Sequence, residues 1–140
     1  MLVFTKEQIK EISEQLDCGF RAFYNKETGA LLFVPDTDKH YDIDMSAWTE
    51  ELDILDENFS NFQEIYAMDA SDSFKVMTGF IELVSDIGLQ EKLMQALHKS
   101  KPFREFKYVI NNSLGYRQSW FDYKNKKYFE WTENQLKSQV

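Results

Sequence analysis

KPFREFKYVINNSLGYRQSWFDYKNKKYFEWTENQL, residues 101–136, is the stretch whose reading decides the fold. It holds two of the three tryptophans, many of the large aromatics and a basic excess in an otherwise acidic chain. Phe103, Phe106, Ile110 and Leu114 stand three or four apart, which puts them on one helical face, with Arg104, Lys107 and Asn111 on the other. Ser100 offers an N-cap hydroxyl, and Pro102 sits in the first turn, where its missing N–H costs nothing. Leu114-Gly115 reads as the stop, with Gly115 free to turn left-handed.

The second half of the stretch leaves two readings open. Trp120 and Tyr123 are one helical turn apart, and Tyr128, Trp131 and Leu136 return roughly to helical spacing. Lys124-Asn125-Lys126-Lys127 has no apolar residue and reads as a break between them. In the competing reading, Trp120–Tyr123 and Tyr128–Trp131 are strands of a hairpin around the lysines. Helix is preferred, because Glu130–Lys137 contains good helix formers. The aromatic rings of this last third are expected as interior packing.

Upstream, Thr5 and Gln8 form a capping box, with Phe4 and Ile9 at staple positions. Ile9, Ile12 and Leu16 make the buried stripe of a helix that ends near Asp17, before Gly19. Phe20–Tyr24 and Ala30–Val34 read as a hairpin around the turn Asn25–Gly29, with Pro35 ending the second strand. Phe20, Ala22 and Tyr24 share one face, and Arg21 and Phe23 the other. Ser46 caps a short helix whose apolar face is Trp48, Leu52, Leu55 and Phe59. Phe62–Met68 is a third strand, in which Glu64 is out of character. A lone hairpin is marginal, so this strand completes a small sheet.

Ser71 caps the next helix, with Phe74, Met77, Ile81 and Val84 as its stripe and Phe80 widening it. Gly88 interrupts, and Leu89, Leu93 and Leu97 carry a further helix to Ser100. The expected fold is α+β and predominantly helical. A small three-stranded antiparallel sheet in the N-terminal half packs against a C-terminal helical bundle, in one domain over residues 1–140.

Composition narrows the function classes. Aromatics make up 16% of the chain, so the core should be aromatic-rich, and five glycines with two prolines argue against disorder. The longest apolar run, Ala30–Val34, is far too short to span a membrane, and the N-terminus lacks the basic and apolar blocks of a signal peptide. A single cysteine excludes an internal disulfide, so a cytoplasmic protein is expected. Residues 1–98 hold 7 Lys+Arg against 20 Asp+Glu, a net of −13, while residues 99–140 hold 9 against 4, a net of +5. The two signs read first as ordinary solvated faces; otherwise they face each other, or point apart and recruit different partners.

Chemistry-bearing motifs are sparse. There is no Gly-rich phosphate loop of either common kind and no G-x-S-x-G elbow. One cysteine and two distant histidines, His40 and His98, cannot make a structural zinc site. Asp36–Asp44, DTDKHYDID, alternates carboxylates as a calcium loop does. It has Tyr41 where such a loop needs glycine and Ala47 where it needs glutamate, so it reads as a solvated acidic loop. Cys18 has Asp17 beside it and no nearby histidine, which suits a small junction residue rather than a nucleophile.

The basic aromatic segment is the functional lead. Arg104, Lys107, Arg117, Lys124, Lys126 and Lys127 mix with Tyr116, Trp120, Tyr123 and Tyr128. Cations hold phosphates and rings stack on unpaired bases, but a pI near 4.8 disfavours a dedicated nucleic-acid binder. The expectation is therefore a non-enzymatic cytosolic protein without cofactor or metal, acting on a protein partner or on itself. The alternative is a nucleic-acid-associated regulator using the basic C-terminal face.

KPFREFK, followed by WFDY and EWTENQL, resembles the uncharacterised bacterial family UPF0158. The matching positions are Phe103, Arg104, Phe106 and Lys107, then Trp120 and Tyr123, then Trp131. Glu105 departs from a position that is often basic, which weakens a phosphate role for this helix. Upstream, Glu27–Gly29 and the helix Ser71–Phe80, with Met77, fit the same pattern. The resemblance implies a shared, mainly helical α+β fold and carries no activity.

Overall fold

The computed structural model describes residues 2–140 and divides into two compact units. One runs to Ala67 and includes Tyr128–Val140, and the other is Met68–Lys127. The fold is α+β and mostly helical, with six helices and a three-stranded antiparallel sheet. Among the described residues, no helix is long and apolar enough to cross a membrane.

The mixed unit begins with α1, Lys6–Asp17, and its capping box is formed. The Gln8 N–H donates to Thr5 Oγ1 at 3.1 Å, and the Thr5 N–H donates to Gln8 Oε1 at 2.9 Å. Phe4, ahead of the cap, meets the Tyr24 ring edge-on at 5.2 Å. The turn after α1 needs Gly19 at φ 86°, and the hairpin turn needs Gly29 at φ 76°. Between them runs β1, Phe20–Asn25, paired with β2, Leu31–Pro35, in the register Phe23↔Leu32. β3, Phe62–Ile65, pairs with the other side of β1, so the order is β2-β1-β3.

Both faces of the central strand are covered, since Ala22, Phe23 and Tyr24 are all buried. Phe23, Leu32 and Val34 pack with Leu55 of α2, Thr49–Glu57, flanked by Trp48, Leu52 and Phe62. Arg21 and Glu64, each out of character in its strand, join this face as a bidentate pair at 2.8 and 2.9 Å. The Arg21 guanidinium also lies 5.1 Å over the Phe23 ring. The hydrogen bonds that Arg21 donates to Glu64 raise the Arg21 pKa, against the opposing effect of its partial burial.

Several boundaries differ from the sequence-based expectation. Asp44, not Ser46, caps the approach to α2, accepting from the Ser46 N–H at 3.0 Å and starting a 3-10 turn, Met45–Trp48. Phe59 falls outside the helix and is 76% exposed, because α2 stops at Glu57 and a second 3-10 turn follows. β3 stops at Ile65, short of the expected Met68. The reason lies in the last helix, α6, Leu114–Gln139, whose C-terminal half belongs to this unit. The Tyr66 N–H donates to Gln135 Oε1 at 2.7 Å, while Trp131 Nε1 and Gln135 Nε2 donate to the Tyr66 carbonyl at 3.0 and 2.9 Å. Gln139 Nε2 reaches the Glu64 carbonyl at 3.2 Å. The same part of α6 meets α1 through a buried bond from Ser13 Oγ to Thr132 Oγ1 at 2.9 Å.

In the helical unit, α3, Ala70–Leu83, is capped by Asp69 rather than Ser71, in a box with Asp72. The Asp72 N–H donates to Asp69 Oδ1 at 2.8 Å. Met77, Phe80, Ile81 and Val84 are buried as expected, but Phe74, one turn from the start, is exposed. The break falls at Ser85 rather than Gly88. Asp86 caps α4, Ile87–Leu97, so that Gly88 lies within its first turn. Leu89, Leu93 and Leu97 face the core.

α5, Pro102–Asn111, has Lys101 at its N-cap with no side-chain cap bond, so Ser100 does not fill that role. Phe106 and Ile110 are buried and Phe103 partly so. The helix ends at Asn111, and the expected stop at Leu114-Gly115 is instead the first turn of α6, with Gly115 not left-handed. Asn112 Nδ2 donates to the Tyr108 carbonyl at 2.7 Å and Ser113 Oγ to the Val109 carbonyl at 2.8 Å, which serves two of α5's last carbonyls. Residues 118–131 are helix throughout, with no break at the lysines. Trp120 is buried between Phe80, at 5.3 Å, and Phe106, at 4.8 Å, both edge-on.

Two outcomes follow from these contacts. Gln135→Leu strips the Tyr66 N–H of its acceptor, and urea unfolding should show a loss of about 1 kcal/mol. The Asp72 backbone N–H, with its side chain adding to the effect, holds the Asp69 carboxyl below its ordinary value. A folded-state pKa below the unfolded one gives stability that is complete above the ordinary aspartate pKa and is lost as pH falls through the folded one. Circular dichroism between pH 5 and pH 2 (about the acid window of an aspartate) should show a shallower acid limb for Asp69→Ser, which keeps a cap without the charge.

Candidate functional site

All six basic residues singled out in the sequence lie in the helical unit. Arg104 and Lys107 are on the exposed side of α5. Glu105 sits between two cations, 3.2 Å from Arg104 and 3.7 Å from Lys99. On α6, Arg117 and Lys124 are each 5.4 Å from the Phe121 ring, and Lys127 is 5.5 Å from the Tyr123 ring. Lys126 projects roughly 170° around the helix from Arg117 and Lys124, at 100° per residue. The α6 cations therefore leave in more than one direction.

The rings among them are largely committed to packing. Trp120 is buried, and Tyr116 and Tyr123 are partly buried against the same core. Tyr116 also bonds Ser85 Oγ through its hydroxyl at 2.8 Å. Phe103 is only partly buried, so the expectation of interior rings holds for Phe106 and Trp120 and is softened there. In the mixed unit Trp131 is likewise partly buried, its indole N–H spent on Tyr66.

A cleft of about 530 Å³ opens where α4, α5 and the start of α6 meet. The α5–α6 junction creates it. α5 stops at Asn111, two residues turn the chain, and α6 restarts at Leu114. Leu89 and Val109 form apolar wall, Lys92, Asn112 and Ser113 bring polar groups, and Tyr108 and Leu114 stand at the rim. Tyr108 is 69% exposed and Leu114 93%. Leu83 and Ile87, at the α3–α4 corner next to the cleft residue Asp86, are 68% and 71% exposed.

The residues with catalytic or ligating potential are placed as follows. Cys18 is exposed, and His40 Nε2 lies 2.9 Å from its carbonyl oxygen rather than at its thiol. The acidic segment after β2 folds on itself, with the Asp38 N–H donating to Asp36 Oδ1 at 3.0 Å. Among the described residues, no group of three His, Cys, Asp or Glu side chains is arranged to hold a metal ion.

Sequence reasoning found the basic residues but missed the cleft. Helical spacing from Phe103 puts Leu114 on the buried face, whereas it is almost wholly exposed. The available signal was Asn111-Asn112-Ser113, a cluster of turn-forming residues ahead of Leu114. No curated protein and no solved structure matches this chain significantly. The model of an uncharacterised protein family, UPF0158, matches residues 1–140, so the chain belongs to that family over its whole length.

Proposed function

We propose that the protein works without catalysis, by binding a protein partner at the cleft between α4, α5 and the start of α6. The observation that carries this is the exposure of Tyr108 and Leu114 at the rim of a concavity. Isolated exposed apolar side chains are ordinary. Grouped around a cleft with polar groups on its walls, they have the make-up of an interface centre, where a few apolar anchors supply most of the affinity. A cytoplasmic setting suits the lone exposed thiol, which stays reduced there.

The nucleic-acid reading has less support. It needs rings free to stack and cations free to meet phosphates. Of its four rings, Trp120 and Tyr128 are buried and Tyr116 and Tyr123 pack against the core. Arg117 and Lys124 lie close to Phe121.

A photo-crosslinking residue at position 114 tests the proposal in cells that make the protein. Discrete protein adducts are expected, and Tyr108→Asp should reduce them at least about tenfold, the effect of losing one interface anchor. Thermal stability should change by no more than about 0.5 kcal/mol, as for other exposed positions. Absence of adducts, together with a small-molecule turnover abolished by Asn112→Ala, would replace the binding reading with an enzymatic one.

A further inference from the structure

We infer that the outer edge of β2 accepts an extended, lysine- or arginine-bearing segment of a partner protein as a fourth strand. This rests on reading the protein as an interaction module, but it uses the mixed unit rather than the cleft.

The ladder phase identifies the free groups. The Asn25 N–H donates to the Ala30 carbonyl at 2.9 Å, and the Asp36 N–H to the Gly19 carbonyl at 3.0 Å. Hydrogen-bonded pairs alternate along an antiparallel ladder, so Phe23↔Leu32 and Arg21↔Val34 are the bonded pairs between these anchors. Leu31 and Phe33 then turn their N–H and C=O groups away from β1, and no described residue bonds them.

β3 shows the opposite treatment. The Lys26 N–H donates to the Asn61 carbonyl at 2.7 Å, so Gln63 and Ile65 bond β1 while Glu64 and Tyr66 face outward. Those outward groups are the ones that Trp131, Gln135 and Gln139 take up. The outward groups of Tyr66 and the Glu64 carbonyl have side-chain partners, while the outward groups of Leu31 and Phe33 have none among the described residues. The usual means of blunting an open edge are charge, a bulge or a covering element. β2 reads LLFVP, with no charged residue and only Pro35, at its end, unable to donate. Strand addition supplies main-chain bonds to such an edge, and side chains then select the ligand.

Charge selects the occupant. This unit holds 6 Lys+Arg against 17 Asp+Glu, a net of −11. Within that count, the segment leaving β2 holds Asp36, Asp38, Asp42 and Asp44 against Lys39 alone. A hollow of about 260 Å³ at the end of the strand is bounded by Val34, Leu52, Asp36, Asp38 and Arg21. Arg21 is paired with Glu64, so Asp38 is the carboxylate there that an incoming lysine or arginine would meet, its stem lying along Val34 and Leu52. A second copy would bring its own acidic unit to the same edge, and like charges repel. A segment alternating apolar and basic residues meets both requirements.

The test uses the whole chain and the acetylated, amidated peptide Lys-Val-Lys-Val-Thr-Val-Lys, with a glutamate-for-lysine version as control. Amide exchange followed by NMR should slow about tenfold or more at Leu31 and Phe33 when the lysine peptide is added. Leu32 and Val34, already bonded to β1, should not change. Leu31→Pro removes an outward N–H at the first residue of the strand, where proline is tolerated, and should weaken binding about tenfold. Retained slow exchange at Leu32 and Val34 shows that this variant is folded. Protection that appears without peptide as protein concentration rises would make a second copy the occupant and overturn the inference. Equal protection by the glutamate peptide would overturn the charge selection. No protection at all would overturn the strand acceptor, while adducts at position 114 would show that the cleft reading survives it.

Discussion

A three-stranded sheet leaves two rows of backbone N–H and C=O groups without a strand partner, and the mixed unit depends on how the β3 row is satisfied. A strand does not do it, because the described residues form no fourth strand. α6 does it with side chains. Trp131, Gln135 and Gln139 are four apart, so they rise along one helical face by about 6 Å per step. Outward-facing groups on a strand recur every two residues, about 6.7 Å apart. The two repeats are close enough for one helix face to follow a strand edge over two steps. Glutamine suits this position for a chemical reason. Its amide is a donor and an acceptor together, so Gln135 serves both the N–H and the C=O of Tyr66, as a residue in a neighbouring strand would. A lysine could only donate there, and a glutamate could only accept. Joining residues about seventy positions apart in this way also holds the end of the chain in the same unit as its beginning.

The helical unit is organised by a different interaction. Trp120 receives Phe80 and Phe106 edge-on, the arrangement that ring quadrupoles favour, worth about 0.5–1.5 kcal/mol per pair beyond burial. This accounts for helix where Lys124–Lys127 suggested a break. The core-facing side of α6 carries Tyr116, Trp120 and Tyr123, and Lys127 continues it one turn on by laying its ammonium near the Tyr123 ring. A lysine stem covers apolar surface while its head stays wet. A run with no apolar residue therefore does not interrupt an apolar face when its lysines can fill that face with methylenes.

Features encoded in a few consecutive residues were legible in the sequence. The Thr5–Gln8 box, the Asn25–Gly29 turn and the α4 stripe are local patterns, and each formed, while the α3 stripe formed without Phe74 and the α5 stripe without Leu114. The caps of α2, α3 and α5 were misassigned because a serine beside an aspartate or a proline offers two plausible starts. In the 3-10 turn ahead of α2 and in α3 an aspartate caps instead, Asp44 and Asp69. Arg21 and Glu64 were each visible as anomalies, but nothing local says that they pair across two strands. The seal on β3 was invisible for the same reason, since it runs from side chains to backbone across a long separation and leaves no periodic trace. The candidate cleft was missed through one error of phase. Extending α5 to Leu114 buried on paper a side chain that is almost wholly exposed.

The units redistribute the charge that the sequence seemed to divide at residue 98. The mixed unit takes the C-terminal residues of α6 and stands at −11, while the helical unit, with 10 Lys+Arg against 7 Asp+Glu, stands at +3. Exposed ion pairs contribute only about 0–1 kcal/mol each, so neither balance supplies much affinity. What it supplies is selection, by speeding the approach of partners of one sign and repelling the other. Affinity has to come from groups that lose water on contact, and each proposed surface has such a feature. In the acidic unit it is the row of outward main-chain groups at Leu31 and Phe33, which no described residue bonds, and in the mildly basic unit it is the apolar rim around Leu114. Because the two features sit in fields of opposite sign, a ligand suited to one is electrostatically discouraged at the other. The physical consequence is that the two proposed surfaces, the β2 edge and the apolar rim around Leu114, would each select its ligand by a charge balance of its own.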